Sequence, residues 1–338
     1  MLKNPLFAST VIALSLTAPG FAQATQSTTD YVELATAINT AMHAHHYNPA
    51  ELESPAYVAT EQAVAELAAT ATTDEEFLSG FRTIWRSGPF SHVTLQRSEH
   101  TAAEMGAYVD SMRIGGGGAV LSWQDDVAVL TINTMMGLDT IEEIDMAFEE
   151  VSHHETSALI VDLRANSGGA FAVRPLVEHI IDTPLDAGAF ISQHWNAVMN
   201  RAPGREDITD IAPWDGWSVL SFWSNVQTQP VTRITFQPVE PGYEGPVYVL
   251  TSSRTASAAE MASDALKASG RATLIGETTA GEMLSQTMYD LPDGYQLALP
   301  IADYYSMASG RIEGQGVSPD INALADEAMD LALELARE

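Results

Sequence analysis

From residue 31 onward, apolar side chains recur three to four positions apart. Val32, Ala35, Ile38 and Met42 form one such series, and Phe77, Phe81, Ile84 and Trp85 another. That spacing puts side chains on one face of a helix. Asn48-Pro49 and Ser54-Pro55 interrupt the pattern, because proline has a fixed φ and no N–H to donate. Residues 31–87 are therefore predicted to be helices of a small helical N-terminal domain. Past residue 118 the period shortens. Residues 119–123 and 127–132 read as strands about an Asp125-Asp126 turn, 140–151 as an amphipathic helix and 158–163 as a buried strand. Helices are further expected at 172–182 and 257–269, strands at 247–250, 273–275 and 297–300, and an acidic amphipathic helix at 322–337. Strands alternating with helices predict an α/β layered core. Residues 183–230 break the alternation and hold Trp195, Trp214, Trp217 and Trp223, four of the six tryptophans. A long aromatic insertion of this kind is a lid, a binding surface or a locally packed flap.

The first residues follow a different logic. Lys3 precedes an apolar stretch at 6–18, Pro19-Gly20 breaks it, and Ala22-Gln23-Ala24 supplies a small-x-small cleavage pattern. The stretch is shorter than the roughly 20 residues that span a bilayer. Residues 1–24 are expected to be a signal peptide and 25–30 a polar linker, with the mature chain soluble in a periplasm or outside the cell. The remaining division expected is 25–105 as helical domain and linker, and 106–338 as an α/β core carrying the insertion at 183–230.

Composition narrows the function. The 338 residues include 15 basic and 45 acidic side chains, a net charge of −30. Nothing in such a chain neutralises phosphates, so a nucleic-acid partner is disfavoured, as is an anionic membrane surface. Cysteine is absent, which removes disulfides, thiolate metal sites and cysteine nucleophiles. The only lysines are Lys3 and Lys267.

Two stretches carry chemistry. Residues 159–169, LIVDLRANSGG, take a buried strand into a turn with paired glycines. Such turns present bare N–H groups that can hold a phosphate or an oxyanion, although many strand-to-helix turns contain Gly-Gly for shape alone. Residues 254–261, RTASAAEM, also follow a strand and open a helix. Ser257 there serves equally as an N-cap or as a nucleophile with the next N–H aimed at an oxyanion, and general rules leave the two open.

Together, ALIVDLRANSGG, TSSRTASAAEMASDALKASGRATLIGETTAG and GRIEGQGVSPDI at 310–321 resemble the carboxyl-terminal processing peptidase superfamily. This group includes the tail-specific proteases, the tricorn core protease and the interphotoreceptor retinoid-binding modules. The resemblance covers roughly residues 90–321. It implies a crotonase-like α/β core of ββα units, with Ser257 as nucleophile and an oxyanion hole from Ala258 and the Gly168-Gly169 turn. The tail-specific branch uses a lysine 25 residues after the serine and a glutamine four further on. Here those positions are Glu282 and Gln286. Lys267 lies ten residues along the same helix, about 15 Å away, too far to be the base. The tricorn branch uses a Ser-His pair and a distal glutamate, which match Ser91-His92 and Glu313. The resemblance thus implies His92 as general base, with Ser91 and Glu313 orienting or polarising the site. The 25 or so residues between His92 and Ala119 are too few for the PDZ domain of the tail-specific enzymes, which places the layout nearer the tricorn and retinoid-binding branch.

Other clusters read as structural. His43 with His46, and His153-His154, lack the third and fourth ligands a zinc site needs, so no metal or other cofactor is expected. Asp125-Asp126 and Glu142-Glu143 are ordinary in so acidic a chain. Residues 115–118, four glycines, are expected to be a flexible connector. The leading expectation is an exported serine peptidase acting on peptides or proteins. A non-catalytic binding module for an apolar ligand, and an esterase-type acyl hydrolase, are the alternatives. The sequence leaves the oligomeric state open.

Overall fold

A computed structural model describes residues 29–199 and 201–337. The leader expected at 1–24 lies outside the described residues. The chain opens with three helices, α1 (Tyr31–His45), α2 (Pro55–Thr70) and α3 (Asp74–Trp85). Each starts on a capping side chain: Asp30, Ser54 and Thr73 accept from the first free N–H groups. Asp74, Glu75 and Glu76 add negative charge to the positive end of α3. Strand β1 (Thr94–Arg97) and helix α4 (Ala102–Ser111) follow. Then come β2 (Ala119–Gln124), β3 (Val127–Ile132), α5 (Leu138–Ser152), β4 (Ala158–Asp162), α6 (Val173–Glu178) and β5 (Leu185–Ser192). Three short helices, α7 (Gln193–Met199), α8 (Arg205–Ile208) and α9 (Val219–Thr228), lead to β6 (Val231–Phe236) and β7 (Val247–Thr251). The chain ends with α10 (Ala258–Ala268), β8 (Ala272–Gly276), β9 (Leu284–Leu291), β10 (Tyr295–Ser306), β11 (Gly310–Arg311), β12 (Ile321–Asn322) and α11 (Ala328–Leu335).

The strands form two sheets. In the first, β10 is the spine: it pairs antiparallel with β1 and then β5 along one edge, and with β9 and then β11 along the other, while β6 closes the far side of β5. The register with β9 shifts between Pro300 and Ala302, where proline removes a ladder donor. The second sheet runs β12-β8-β7-β4-β3-β2, parallel except for the β2–β3 hairpin. Its central strands β3, β4 and β7 are buried on both faces. In β4, Leu159 and Val161 join the main core with Ile144 and Phe148 of α5, Leu176 of α6 and Leu266 of α10. Ala158 and Ile160 point the other way, onto Ala328 and Ala332 of α11. The N-terminal helices share the main core through Leu34, Ile38, Phe77 and Phe81, continuous with Leu297 and Leu299 of β10.

The structure corrects three local expectations. The glycine run at 115–118 is not a loose connector: the Asp139 carboxylate accepts from Ile114, Gly115 and Gly116 at 3.0, 2.8 and 3.0 Å, and Glu143 accepts from Gly117 and Ala119 at 2.8 Å each. The C-terminal helix begins at 328 rather than 322, because Ile321 and Asn322 pair with β8. Residues 185–192, read as part of an irregular insertion, are an interior strand of the first sheet.

Candidate active site

The carboxyl ends of β3, β4, β7 and β8 point to one side of the second sheet, the edge where open α/β sheets place their ligands. The segment after β7 turns sharply into α10, and Ser257 sits at that turn. Its φ of 53° and ψ of −123° are a sparsely populated combination for a residue with a side chain, as found in strand-to-helix nucleophile turns. Neighbouring bonds hold the strain. The Ala256 N–H donates to the Asn166 carbonyl at 3.1 Å, and the Thr255 hydroxyl to the Leu163 carbonyl at 2.9 Å, so the turn after β7 is stitched to the turn after β4.

A buried carboxylate completes the clamp. Glu260, with no solvent exposure, accepts from the Ser257 N–H (3.0 Å), the Thr279 hydroxyl (2.6 Å), the Gly281 N–H (2.8 Å) and the Glu282 N–H (2.8 Å). Burial pushes its pKa up, and these four donors push it back down. Glu260 was not among the candidate residues in the sequence. Its place three residues after Ser257, the spacing at which an acidic side chain reaches back to a helix start, was the signal for it.

The glycine turn packs directly on this elbow. A Cβ on Gly168 would lie 2.6 Å from the Ser257 Cβ and 2.8 Å from the Ala256 oxygen, and Gly168 has φ 96°. Both contacts and the positive φ demand glycine. The Gly168 N–H is already committed: it donates to Asn166 Oδ1 at 2.8 Å, while Asn166 Nδ2 donates to the Ile132 carbonyl at 3.0 Å. The N–H groups of Gly169 and Ala258 make no hydrogen bond to protein among the described residues. Asn166, fully buried, had not been singled out; only its position in the strand-to-turn motif marked it.

Ser91, His92 and Glu313 lie together. Ser91 Oγ is 2.6 Å from His92 Nδ1 and hydrogen-bonds the Glu313 carboxylate, which also accepts from the Met283 N–H at 2.6 Å. A hydroxyl has one proton. When Glu313 is ionised it only accepts, so Ser91 donates to it and accepts from His92 Nδ1–H. This ordering leaves His92 Nε2 with its lone pair free. Burial holds the His92 imidazole down to about 4, so the ring is neutral over the physiological range. Burial also raises the Glu313 carboxyl, against the pull of Ser91 and the Met283 N–H. His92 itself has φ 61°, a left-handed conformation. The two halves of the site are tied together, since the Gly314 N–H donates to Gly281 (2.8 Å), whose own N–H is held by Glu260. Among the described residues, no direct hydrogen bond joins Ser257 Oγ to His92.

The remaining candidates fall into place around this. Lys267 points away, pairing with Asp320 at 2.9 Å and the Ser318 carbonyl at 2.8 Å. Glu282 follows the clamped Gly281 and donates its N–H to Glu260. Gln286 lies on β9 opposite Pro300, with its Oε1 buried and unpartnered. His46 is buried against Tyr47 and Phe90, and His153 accompanies Glu149 on the surface. No group of three or more metal-ligating side chains is placed to hold an ion among the described residues.

Two sheets with helices between them, and a strained serine at the mouth of the parallel strands, define the class: an α/β protein with a strained strand-to-helix serine turn. The family follows from the sequence. The model of peptidase family S41 matches residues 126–323, more than half of the chain, and the chain belongs to that family. It is 31% identical over 196 residues to the chloroplastic C-terminal processing peptidase of Tetradesmus obliquus, a match covering 58% of this chain and 35% of that protein. The chain spans about a fifth to a third of the length of the curated relatives it matches. A candidate peptidase from Parabacteroides merdae shares the fold, with a TM-score of 0.64 at 14% identity, covering 92% of this chain and 98% of that one. The tricorn protease shares it too, with a TM-score of 0.56 at 13% identity over 91% of this chain and 37% of that one.

Proposed function

We propose that the protein hydrolyses peptide bonds as a serine peptidase with Ser257 as nucleophile. His92 Nε2 takes the Ser257 proton as Oγ attacks the carbonyl carbon. The oxyanion forms between the Gly169 and Ala258 N–H groups. Collapse of the tetrahedral species breaks the C–N bond, His92 returns the proton to the leaving amine, and water repeats the sequence on the acyl-enzyme. Ser91 and Glu313 are positioning residues that hold the tautomer. The observation that carries this reading is the Ser257 turn: a strained serine, partly solvent-exposed, packed on a glycine turn and flanked by two unused N–H donors.

Labelling with a fluorophosphonate, read by intact mass and peptide mapping, tests the reading. The expected result is a stoichiometric adduct on Ser257 that is lost in His92→Ala. An unlabelled protein across pH 5–9, or labelling that survives His92→Ala, overturns it. Export belongs to the same proposal, supported by the apolar stretch at 6–18 and Ala22-Gln23-Ala24. It requires the secreted protein to begin at Thr25 on N-terminal sequencing. No helix among the described residues is long and apolar enough to cross a membrane.

A further inference from the structure

A cleft of about 700 Å³ opens beside the glycine turn. It starts at Met135, Met136 and Ala170, and a Cβ on Gly169 would lie 2.5 Å from the Met135 carbonyl carbon and 2.6 Å from the Met136 nitrogen. The Gly169 backbone therefore packs on two of the residues that line it. Met136, Leu138, Ile141, Phe171, Trp217 and Val219 make its walls apolar. Trp217 comes from the tryptophan-rich segment and is held in place by Arg174 of α6. That guanidinium lies over the Trp217 ring, 4.7 Å from its centroid, and its Nη1 donates to the Asp215 carbonyl at 3.2 Å.

The rim of the cleft is acidic beyond the bias of the chain. Five of its 19 lining residues are Asp or Glu, against 45 of 338 overall, and none is Lys or Arg. Asp110 is committed to the Ser218 hydroxyl and the Val219 N–H. Glu240 takes the Gly242 N–H at 3.3 Å, and Glu178 the Gln237 N–H at 3.1 Å. Asp145 and Glu149 are open. They lie one turn apart on α5, their side chains 55% and 63% exposed, and among the described residues each meets only a histidine: His179 at 3.0 Å and His153 at 3.9 Å.

We propose that this cleft is the substrate subsite, and that it selects peptides carrying a bulky apolar residue with a lysine or arginine two positions away. In an extended peptide, side chains two apart share a side and stand about 6.6–6.8 Å apart, close to the one-turn separation on α5 between Ile141, on the apolar side of the cleft, and Asp145. The apolar side chain packs on the Met136, Phe171 and Trp217 wall, and the cation faces Asp145 and Glu149. The inference rests on Ser257 being the nucleophile, because the Gly169 turn is what places the cleft beside the scissile carbonyl.

Binding to the Ser257→Ala protein tests the subsite without requiring catalysis. The probes are two fluorescein-labelled peptides that differ only in carrying Leu-Ala-Lys or Leu-Ala-Glu, read by fluorescence anisotropy. The lysine peptide is expected to bind about tenfold tighter or more, the range expected of two or three exposed charge contacts. Asp145→Asn with Glu149→Gln should bring the two within about twofold. Those substitutions change only two of the charges behind a net −30, so a collapse reports the cleft and not the overall field. Trp217→Ala should weaken both peptides and keep their ratio. Equal binding of the two peptides, or a preference that survives the Asp145/Glu149 substitutions, overturns the proposal. Fluorophosphonate labelling of the unaltered protein separates the two readings. An adduct without peptide preference removes the subsite alone, and preference without an adduct removes the nucleophile alone.

Discussion

At the scale of single residues, the site depends on where one proton sits. In the proposed mechanism Ser91 accepts from His92 Nδ1 and donates to Glu313, so that the imidazole presents Nε2 as the base. Ser91→Ala removes that ordering and leaves the ring in place. Its kcat is expected to fall about 10- to 100-fold with KM little changed, less than the loss of about a hundredfold or more expected for His92→Ala. Equal losses in both variants would mean that Ser91 has a role beyond orientation. The same geometry sets a pH dependence. Burial penalises the charged imidazolium, so the ring binds its proton only near pH 4. The base is present above that pH and lost as the pH falls through it. The acid limb of kcat/KM, measured from pH 3.5 to 8 on one peptide, should lie near 4. A limb centred near the ordinary histidine value of about 6.5 would show that the ring titrates as if solvated.

At the scale of elements, Glu260 is the part that holds the others in position. It joins the start of α10 to the loop between β8 and β9, and that loop carries Met283 and so Glu313. Glu260→Ala would leave four donors buried or newly hydrated. An unsatisfied buried donor costs about 1–3 kcal/mol, so a loss of at least about 3 kcal/mol in urea unfolding is expected, with slower labelling of Ser257. A loss under about 1 kcal/mol would mean that water replaces the carboxylate. The elements themselves were unequally legible. Strands β3, β4 and β7 could be read because parallel strands buried on both faces appear as unbroken apolar runs. Strand β5 could not, since Asp186 and Gly188 dilute its pattern and its pairing with β10 is remote in sequence. Strand β1 was missed for the same reason: four residues of mixed polarity make a strand only because β10 lies alongside. The motifs marked Ser257, Gly168 and Glu313, but not which N–H groups were spoken for. That Asn166 occupies the Gly168 donor is a fact of turn geometry which no spacing reveals.

At the scale of the whole molecule, acid outnumbers base three to one, 45 against 15. Several of the ion pairs among the described residues are at the surface, such as Arg113–Glu142 and Arg337–Asp125, and exposed pairs contribute little each, about 0–1 kcal/mol. Self-repulsion among some thirty uncompensated carboxylates acts in the opposite direction and over longer distances. The Debye length shrinks from about 30 Å at 0.01 M salt to about 3 Å at 1 M, so salt screens the long-range repulsion more completely than the contacts between neighbours. The melting temperature should therefore rise as sodium chloride goes from 0.02 to 0.5 M, whereas a chain held mainly by its ion pairs would lose stability over the same range. The comparison to make is the same titration on Glu260→Gln. Its carboxylate is buried and already compensated by four donors, so the variant should melt lower throughout but follow the same slope. A melting temperature that falls with salt in both proteins would mean that local pairing, and not net charge, governs the stability of this acidic chain.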